Sequence, residues 1–460
     1  MIRNDHSSPR VPEARIVLCN SSSPTTRSEI RCAVGRDLII KPEVLGRYCV
    51  KPLDPLIYDL VLIAGAVAFA DRVVPRKTSV CWRRELEVVV PTSDPEFWKQ
   101  AIVVRKLTET VELVTGDVWS FRFKPTRKKT KVDPQASLSF GGLSAAVIPF
   151  SDGLDSFATS LLTLADSPQM GLIGVTTGSR PHTRIGSKQQ RVSIPFSMTG
   201  RRQRLRETSY RSRGFVFGVM AGIAAHLLEA DRIIVPESGQ GALGPWLIPV
   251  GNEAPDVRMH PFFTASLSRF LETIFGRYIN HEHPQLWKTK GETLRELKHS
   301  GLDYEDWSKT RSCPRGRKVV MNNKRVQCGV CASCLLRRQS LLGAGLDEGQ
   351  EVYFWSNLSA PSLCRAANLS DRDTVLNDER QAKCGVYDLA AFANLLGTDF
   401  GDKRITYASA ELAAHGGAKE VAVARNLRRL LAAHREEWFA FIAAQKSESF
   451  LKKWLEIIQC

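Results

Sequence analysis

Apolar and polar positions follow two rhythms along this chain, one of period two and one near 3.6. The longest apolar run, 60–70, lies between Asp59 and Asp71. It is far shorter than the about 20 residues a bilayer requires, so it predicts a buried helix over 58–73. Alternation over 85–90, ending at Pro91, and again over 118–123 predicts two strands. Between them Ser93-Asp94-Pro95-Glu96 has the composition of a helix start ahead of Phe97 and Trp98. Further on, the short apolar runs 145–150, 172–176, 192–195 and 233–235 read as strands, with helices after the first and across 214–229. Such alternation predicts a parallel α/β sheet that receives ligands at the carboxyl ends of its strands. The last hundred residues change character: 387–396, 408–415, 420–433 and 437–444 have helical spacing, and Gly416-Gly417 separates two of them. Within 421–431, Val421, Ala424, Leu427, Leu430 and Leu431 form one stripe, with Arg425, Arg428 and Arg429 opposite.

These rhythms divide the 460 residues into four segments. Residues 1–40 are polar and aperiodic and are expected to be partly disordered. Residues 41–135 form an α+β domain that ends in the charged stretch 124–134. An α/β domain follows over 141–345, then an all-helical extension over 346–460. The hydrophobic fraction (43%) and charged fraction (24%) are those of a globular protein. The stretch MIRNDHSSPR has no apolar core of a secretory signal, which predicts cytoplasmic residence and no membrane partner. A net charge of +16 predicts attraction to anions. It is concentrated in 180–213, where ten basic residues (Arg180, Arg184, Lys188, Arg191, Arg201, Arg202, Arg204, Arg206, Arg211, Arg213) face the single acid Glu207, and again in 311–338. A solvated face, a nucleotide, a nucleic acid and an acidic protein partner all fit this pattern. Sparse aromatic residues argue against stacking on single strands.

Two motifs carry candidate chemistry. In Ser151-Asp152-Gly153-Leu154-Asp155-Ser156, an apolar run ends in a small polar loop that opens a helix. That order gathers free N–H groups, small side chains and the positive end of a helix dipole, which suits a phosphate. The Gly-Lys-Ser/Thr of a Walker loop occurs nowhere in the chain. A turn whose Ser and Asp only cap the helix fits the same residues. The second motif is Cys313, Cys328, Cys331 and Cys334, spaced C-x14-C-x2-C-x2-C; the other seven of the eleven cysteines are scattered. Four thiolates suit zinc, or alternatively an iron–sulfur cluster, and leave no open position, so the metal is expected to be structural. Flanking Arg325, Arg337 and Arg338 are placed to offset the cluster's negative charge.

Ser-x-Gly-x-Asp-Ser resembles the PP-loop of ATP pyrophosphatases, and the two motifs in this order resemble QueC, the 7-cyano-7-deazaguanine synthase family, over residues 144–341. Phe150–Ser156 reads FSDGLDS where that family has FSGGxDS. Arg211-Ser212-Arg213-Gly214-Phe215 matches its basic-Arg-Asn segment with Gly214 for Asn, and Lys290-Gly291-Glu292 matches its Lys-x-Glu step. Thr310-Arg311-Ser312-Cys313 echoes Thr-Trp-Ser-Cys. The resemblance implies an adenine nucleotide alpha hydrolase-like fold, a parallel sheet flanked by helices, with ATP and Mg2+ as cofactors and structural Zn2+. ATP would lie on Phe150, Ser151, Asp152, Gly153, Leu154, Asp155, Ser156, Phe157, Ala158, Thr159 and Ser160. Ser151, Asp155, Ser156 and Arg213 would be catalytic, and Arg213, Glu237, Gln240, Lys290 and Glu292 would meet the substrate. The implied reaction adenylates the carboxylate of 7-carboxy-7-deazaguanine with release of pyrophosphate. Ammonia then gives an amide, and a second activation with loss of water gives the nitrile.

The sequence also departs from that pattern. Asp152 replaces the first loop glycine. The metal loop is longer, so 319–327 reads as an insertion. Glu237-Ser238-Gly239-Gln240-Gly241 stands where the family has Tyr-Pro-Asp-Cys. The added terminal segments are similar to those of QatC, the QueC-like component of the Qat anti-phage system, which implies protein partners in a defence complex. Two alternatives follow: acylation of a partner protein's amine, and a catalytically weak nucleotide- or nucleic-acid-binding subunit in which Asp152 spoils the loop.

Overall fold

The computed structural model describes residues 12–19, 29–40, 54–77, 81–126, 145–177, 189–194, 196–198, 205–248, 253–302, 305–314, 320–321, 324–349, 352–367 and 375–459. The chain divides into two compact units that interleave along the sequence. Met1–Pro149, Gln169–Ile234 and Val250–Glu282 form the first; Phe150–Pro168, Val235–Pro249 and His283–Cys460 form the second. The expectations placed on 21–28, on 127–134 and on Arg180, Arg184, Lys188, Arg201, Arg202 and Arg204 lie outside the described residues.

The first unit begins with β1 (Ala14–Cys19), β2 (Glu29–Ala33) and β3 (Leu38–Ile40), three strands in a segment whose sequence has no period. Helix α1 (Pro55–Val73) starts on Asp54, whose side chain accepts the Leu56 N–H. Its apolar run is buried as expected, and both bracketing acids are buried with it. Asp59 accepts from the Ser93 N–H and hydroxyl and from Trp98 Nε1. Asp71 accepts from the Ser212 N–H and hydroxyl and from the Arg84 guanidinium. Satisfied in this way, two carboxylates sit in the core without leaving a buried polar group bare. β4 (Glu85–Thr92) passes through Pro91 rather than ending there, and Pro91 stands opposite Lys124 in the ladder. Asp94 caps α2 (Pro95–Lys99), and α3 (Ala101–Thr115) leads to β5 (Val118–Pro125). α3 ends on Gly116 at φ +73°, where a Cβ would fall 2.5 Å from the Ala254 Cβ. The sheet order is β2-β1-β4-β5. Every pairing is parallel, so this part has α/β character and not the expected α+β.

β6 (Ala145–Pro149) opens the second sheet, and the chain then forms α4 (Leu154–Asp166) before β7 (Gly171–Thr177) and β8 (Gln189–Ile194). The short β9 (Phe196–Met198) pairs antiparallel with β3. There follow α5 (Arg213–Leu227), β10 (Arg232–Ile234), α6 (Gly239–Leu247), α7 (Pro261–Phe275) and β11 (Asn280–Glu282). Order β11-β10-β6-β7-β8 is parallel throughout. Neighbours β6 and β10 are where the strand order reverses, and the chain leaves both of their carboxyl ends into segments of the second unit. α5 carries Gly218 and Gly222 against Leu267 and Leu271 of α7; a Cβ at either would come within 2.4 Å of a leucine methyl.

The second unit is helical: α4, α6, α8 (Lys290–His299), α9 (Ala332–Gly343), α10 (Leu363–Ala366), α11 (Val375–Ala393), α12 (Asp399–Gly416), α13 (Glu420–Ala443) and α14 (Phe450–Gln459). A small hairpin, Val320–Met321 with Lys324–Arg325, occupies the stretch read as an insertion. Gly417 ends α12 in the left-handed conformation, as the Gly-Gly pair suggests. Two expectations fail in α13. The helices expected over 420–433 and 437–444 are one, because His434 is buried and continues the apolar face through the polar interval. Val421 is 83% exposed, and Val423 takes its place on the buried stripe with Leu427, Leu430 and Leu431. No helix among the described residues is long and apolar enough to cross a membrane.

Candidate functional site

The loop after β6 is held by its own hydroxyls. Ser151 Oγ lies 2.9 Å from Ser156 Oγ, the Gly153 N–H donates to Ser151 Oγ (3.2 Å), and the Ser151 N–H donates to Ser156 Oγ (3.2 Å). Gly153 is the N-cap of α4 and supplies no side chain to the helix end. The first bond of the helix runs from the Phe157 N–H to the Gly153 carbonyl. The N–H groups of Leu154, Asp155 and Ser156 have no acceptor among the described residues. Three free donors at the positive end of a 13-residue helix make a cradle for an anion. From the other side the Arg311 N–H donates to the Asp152 carbonyl (2.6 Å), so the main chain of Asp152 is fixed while the residue itself is exposed. Phe150, Leu154, Ser156, Phe157, Ala158, Thr159 and Ser160 are buried, and Ser160 Oγ donates to the Ser156 carbonyl. Accessible surface in this stretch therefore comes from Ser151, Asp152, Gly153 and Asp155.

Asp155 Oδ2 lies 2.7 Å from Lys290 Nζ, with the lysine side chain 8% and the aspartate side chain 20% exposed. Burial works against the ammonium charge, but Asp155, and after it Glu237, more than offset that, so the Lys290 pKa stands above its ordinary value. Lys290 is thus a fixed, buried cation at the mouth of the loop. Its N–H donates to Gln240 Oε1 (2.8 Å), and Gln240 Nε2 lies 2.7 Å from His434 Nδ1. Glu237 and Gln240 flank Gly239, where any Cβ would fall 2.2 Å from the Leu286 carbonyl, so this turn accepts only glycine. Glu292 forms a capping box with Thr289 at the start of α8, and it pairs with Arg429. Arg213, the first residue of α5 in the other unit, is exposed and lies over the Phe217 ring.

The four motif cysteines meet. Their Sγ atoms lie within 4.8 Å of one another, all four residues are buried, and Cys328 Sγ is 3.7 Å from Cys334 Sγ. A tetrahedral ion with Zn–S bonds of about 2.3 Å sets its sulfurs about 3.8 Å apart, so the cluster suits zinc. The N–H of Cys328 points at Cys313 Sγ and that of Cys331 at Cys328 Sγ (3.4 Å each), which favours the thiolate form. Gln327, 1% exposed, ties the two ligand segments by accepting the N–H groups of Ser312 and Cys313. Gly329 turns the chain at φ +92°, with the Trp355 carbonyl 2.5 Å from where its Cβ would be. The cysteines share one apolar core with Trp355, Val386, Trp438, Phe450 and Trp454, so the C-terminal helices pack onto the four-cysteine cluster. Arg337 does not offset the cluster as expected. It is fully buried and directs its charge to Glu348, with a further bond to Thr310 Oγ1. Arg338 donates to the Trp355 and Ser356 carbonyls and its charge also interacts with Cys334 and Cys328, as expected, while Arg311 donates to the Val326 carbonyl.

Spacing could not reveal the Asp155–Lys290 pair, the Gln240–His434 bond or buried Glu437 of α13, since each partner is distant in sequence. Lys290 and Gln240 are visible through the QueC-type resemblance; His434 and Glu437 carry no signal beyond a polar letter in a helical stripe. Compared with known proteins, the chain matches no family model and no curated sequence.

Proposed function

We propose that the second unit binds ATP on the loop Phe150–Ser156 and uses it to activate a carboxylate, as a QueC-like carbon–nitrogen ligase does. The observation that carries this reading is the pairing of three acceptor-free N–H groups with a buried lysine held by Asp155. In the reaction, a substrate carboxylate oxygen bonds to the α-phosphorus while the bond to the bridging oxygen of pyrophosphate breaks. Negative charge grows on the leaving pyrophosphate, where loop N–H groups, the Ser151 and Ser156 hydroxyls and Lys290 Nζ are placed to receive it. Mg2+ would be held by the carboxylates of Asp152 and Asp155 and would supply further charge neutralisation. An amine then attacks the acyl carbon, and AMP leaves with the oxygen it was given. The substrate is 7-carboxy-7-deazaguanine or a similar purine carboxylate, and with ammonia as acceptor the product is an amide or nitrile. The four-cysteine cluster, holding zinc, is structural.

A protein amine is the second acceptor to consider. Phe400 and Tyr407 on α12 and Val421 and Phe439 on α13 are exposed apolar or aromatic side chains that a protein partner, such as a defence complex provides, would cover. Mass spectrometry of the partner after reaction separates the two acceptors. The central test is exchange of labelled pyrophosphate into ATP, dependent on the purine carboxylate. Exchange is expected, and Lys290→Met should lower it about 100-fold or more. Absence of exchange with every carboxylate tried would leave only nucleotide binding.

A further inference from the structure

The four cysteines and the loop after β6 belong to the same unit, and one short strap joins them. Thr310-Arg311-Ser312-Cys313 ends in a metal ligand, and each of its residues is anchored. Thr310 Oγ1 lies 2.8 Å from Arg337 Nη1 and donates to the Trp307 carbonyl (2.6 Å). The Arg311 side chain donates to the Val326 carbonyl (3.0 Å). Ser312 and Cys313 give their N–H groups to Gln327 Oε1 (2.8 and 3.2 Å), and Cys313 Sγ lies among the other three sulfurs. Gln327 is itself fixed on both sides of its backbone. Its N–H donates to the Val352 carbonyl (2.8 Å), its carbonyl accepts the Phe354 N–H (2.9 Å), and Cys328 follows it directly. The strap meets the loop through the Arg311 N–H, 2.6 Å from the Asp152 carbonyl oxygen.

That one bond decides which way the peptide between Asp152 and Gly153 faces. In a trans peptide the C=O and N–H point to opposite sides. A carbonyl drawn to Arg311 therefore turns the Gly153 N–H toward Ser151 Oγ (3.2 Å) and the Ser151–Ser156 hydroxyl pair. Gly153 stands at φ −84°, and a flip of this peptide would carry it into positive φ, which glycine enters freely. After such a flip a carbonyl oxygen, not an N–H, would face the hydroxyls, and an anion would be repelled. The geometry points to Gln327 as a positioning residue: through the strap, Gln327 and the ligand Cys313 make the polarity of the loop depend on the metal cluster. A bound metal would tie Cys313 to the Cys328–Cys334 knuckle, while Gln327 holds the two N–H groups beside it. The consequence for nucleotide binding rests on the reading of the loop proposed above; the peptide orientation does not.

Hydrogen exchange of the full zinc-loaded chain, read at single amides without nucleotide, tests this apart from the function of the loop. Gln327→Met keeps the length of the side chain, removes the acceptor and leaves all four cysteines in place. Its zinc content by elemental analysis and the exchange of α13 are expected to match the native chain. The Gly153 and Arg311 amides, the two donors a flip would strip of their acceptors, should exchange about tenfold faster. A native rate at Gly153 in the zinc-loaded variant overturns the inference. So does faster exchange that α13 shares, since that marks general loosening. Should Gln327→Met lose zinc or fail to fold, the native chain supplies the second arm. A chelator should then speed Gly153 exchange by about tenfold more than that of the last turn of α4, and added Zn2+ should restore it. Equal changes at Gly153 and in α4, or none at Gly153, overturn the link.

Discussion

Asp155 and Lys290 are 135 positions apart and meet at 2.7 Å in a place where neither is readily hydrated. Removing the lysine leaves a carboxylate that is only 20% exposed with its main partner gone. Lys290→Met is therefore expected to cost about 1–3 kcal/mol, less than a fully buried pair would, because Asp155 keeps some solvent. A double-mutant cycle with Asp155→Asn, read by denaturant unfolding, measures the coupling. Since the Lys290 pKa is raised, the pair's contribution is complete below the ordinary lysine value of about 10.4 and is lost only as pH climbs through the higher folded value. His434 behaves in the opposite sense. Burial holds it near 4, so the folded protein refuses a proton that the unfolded chain accepts from about 6.5 downward. Stability is expected to fall by about 1.4 kcal/mol per pH unit across that window from this group alone, and His434→Gln should flatten the fall in melts run at several pH values.

At the scale of elements, the metal loop depends on a turn that only glycine can make. Gly329 combines a positive φ with a carbonyl against its α-carbon, so Gly329→Ala must either strain the backbone or push Trp355 away. Lower metal content per chain, measured by elemental analysis of the purified variant, is the expected result; full occupancy would show that the knuckle tolerates a shift. α13 illustrates the limits of reading an element by polarity. Its sequence reads as a break at His434-Arg435-Glu436, yet the helix continues because His434 and Glu437 find partners inside, while Arg435 and Glu436 are exposed. Its stripe begins at Val423 and not at Val421, a shift set by which face meets the rest of the second unit.

For the molecule as a whole, the four thiols and the C-terminal helices form one core, so metal removal should reach far beyond the loop. Structural zinc in small domains contributes on the order of 10 kcal/mol of apparent binding free energy. A strong chelator is expected to lower the calorimetric unfolding temperature and to be reversed by added Zn2+. A melt indifferent to chelation would mean that Trp438, Phe450, Trp454 and their neighbours hold the core unaided.

Local spacing alone determined much of this protein. The helix between Asp59 and Asp71, the turn from β6 into α4, the cap at Asp94 and the C-x2-C-x2-C knuckle each depend on residues a few positions apart, where geometry leaves little choice. Tertiary structure decided what spacing cannot encode. β1 and β2 exist because neighbouring strands pair with them, the N-terminal sheet is parallel because its strands return in one direction, and Arg337 serves Glu348 and not the cysteines. The Asp155–Lys290 pair, the Gln240–His434 bond and the Thr289–Glu437 bond join groups from four separate segments. Burial and the need to satisfy every enclosed polar atom select those partners, and both become visible only once the chain has closed upon itself.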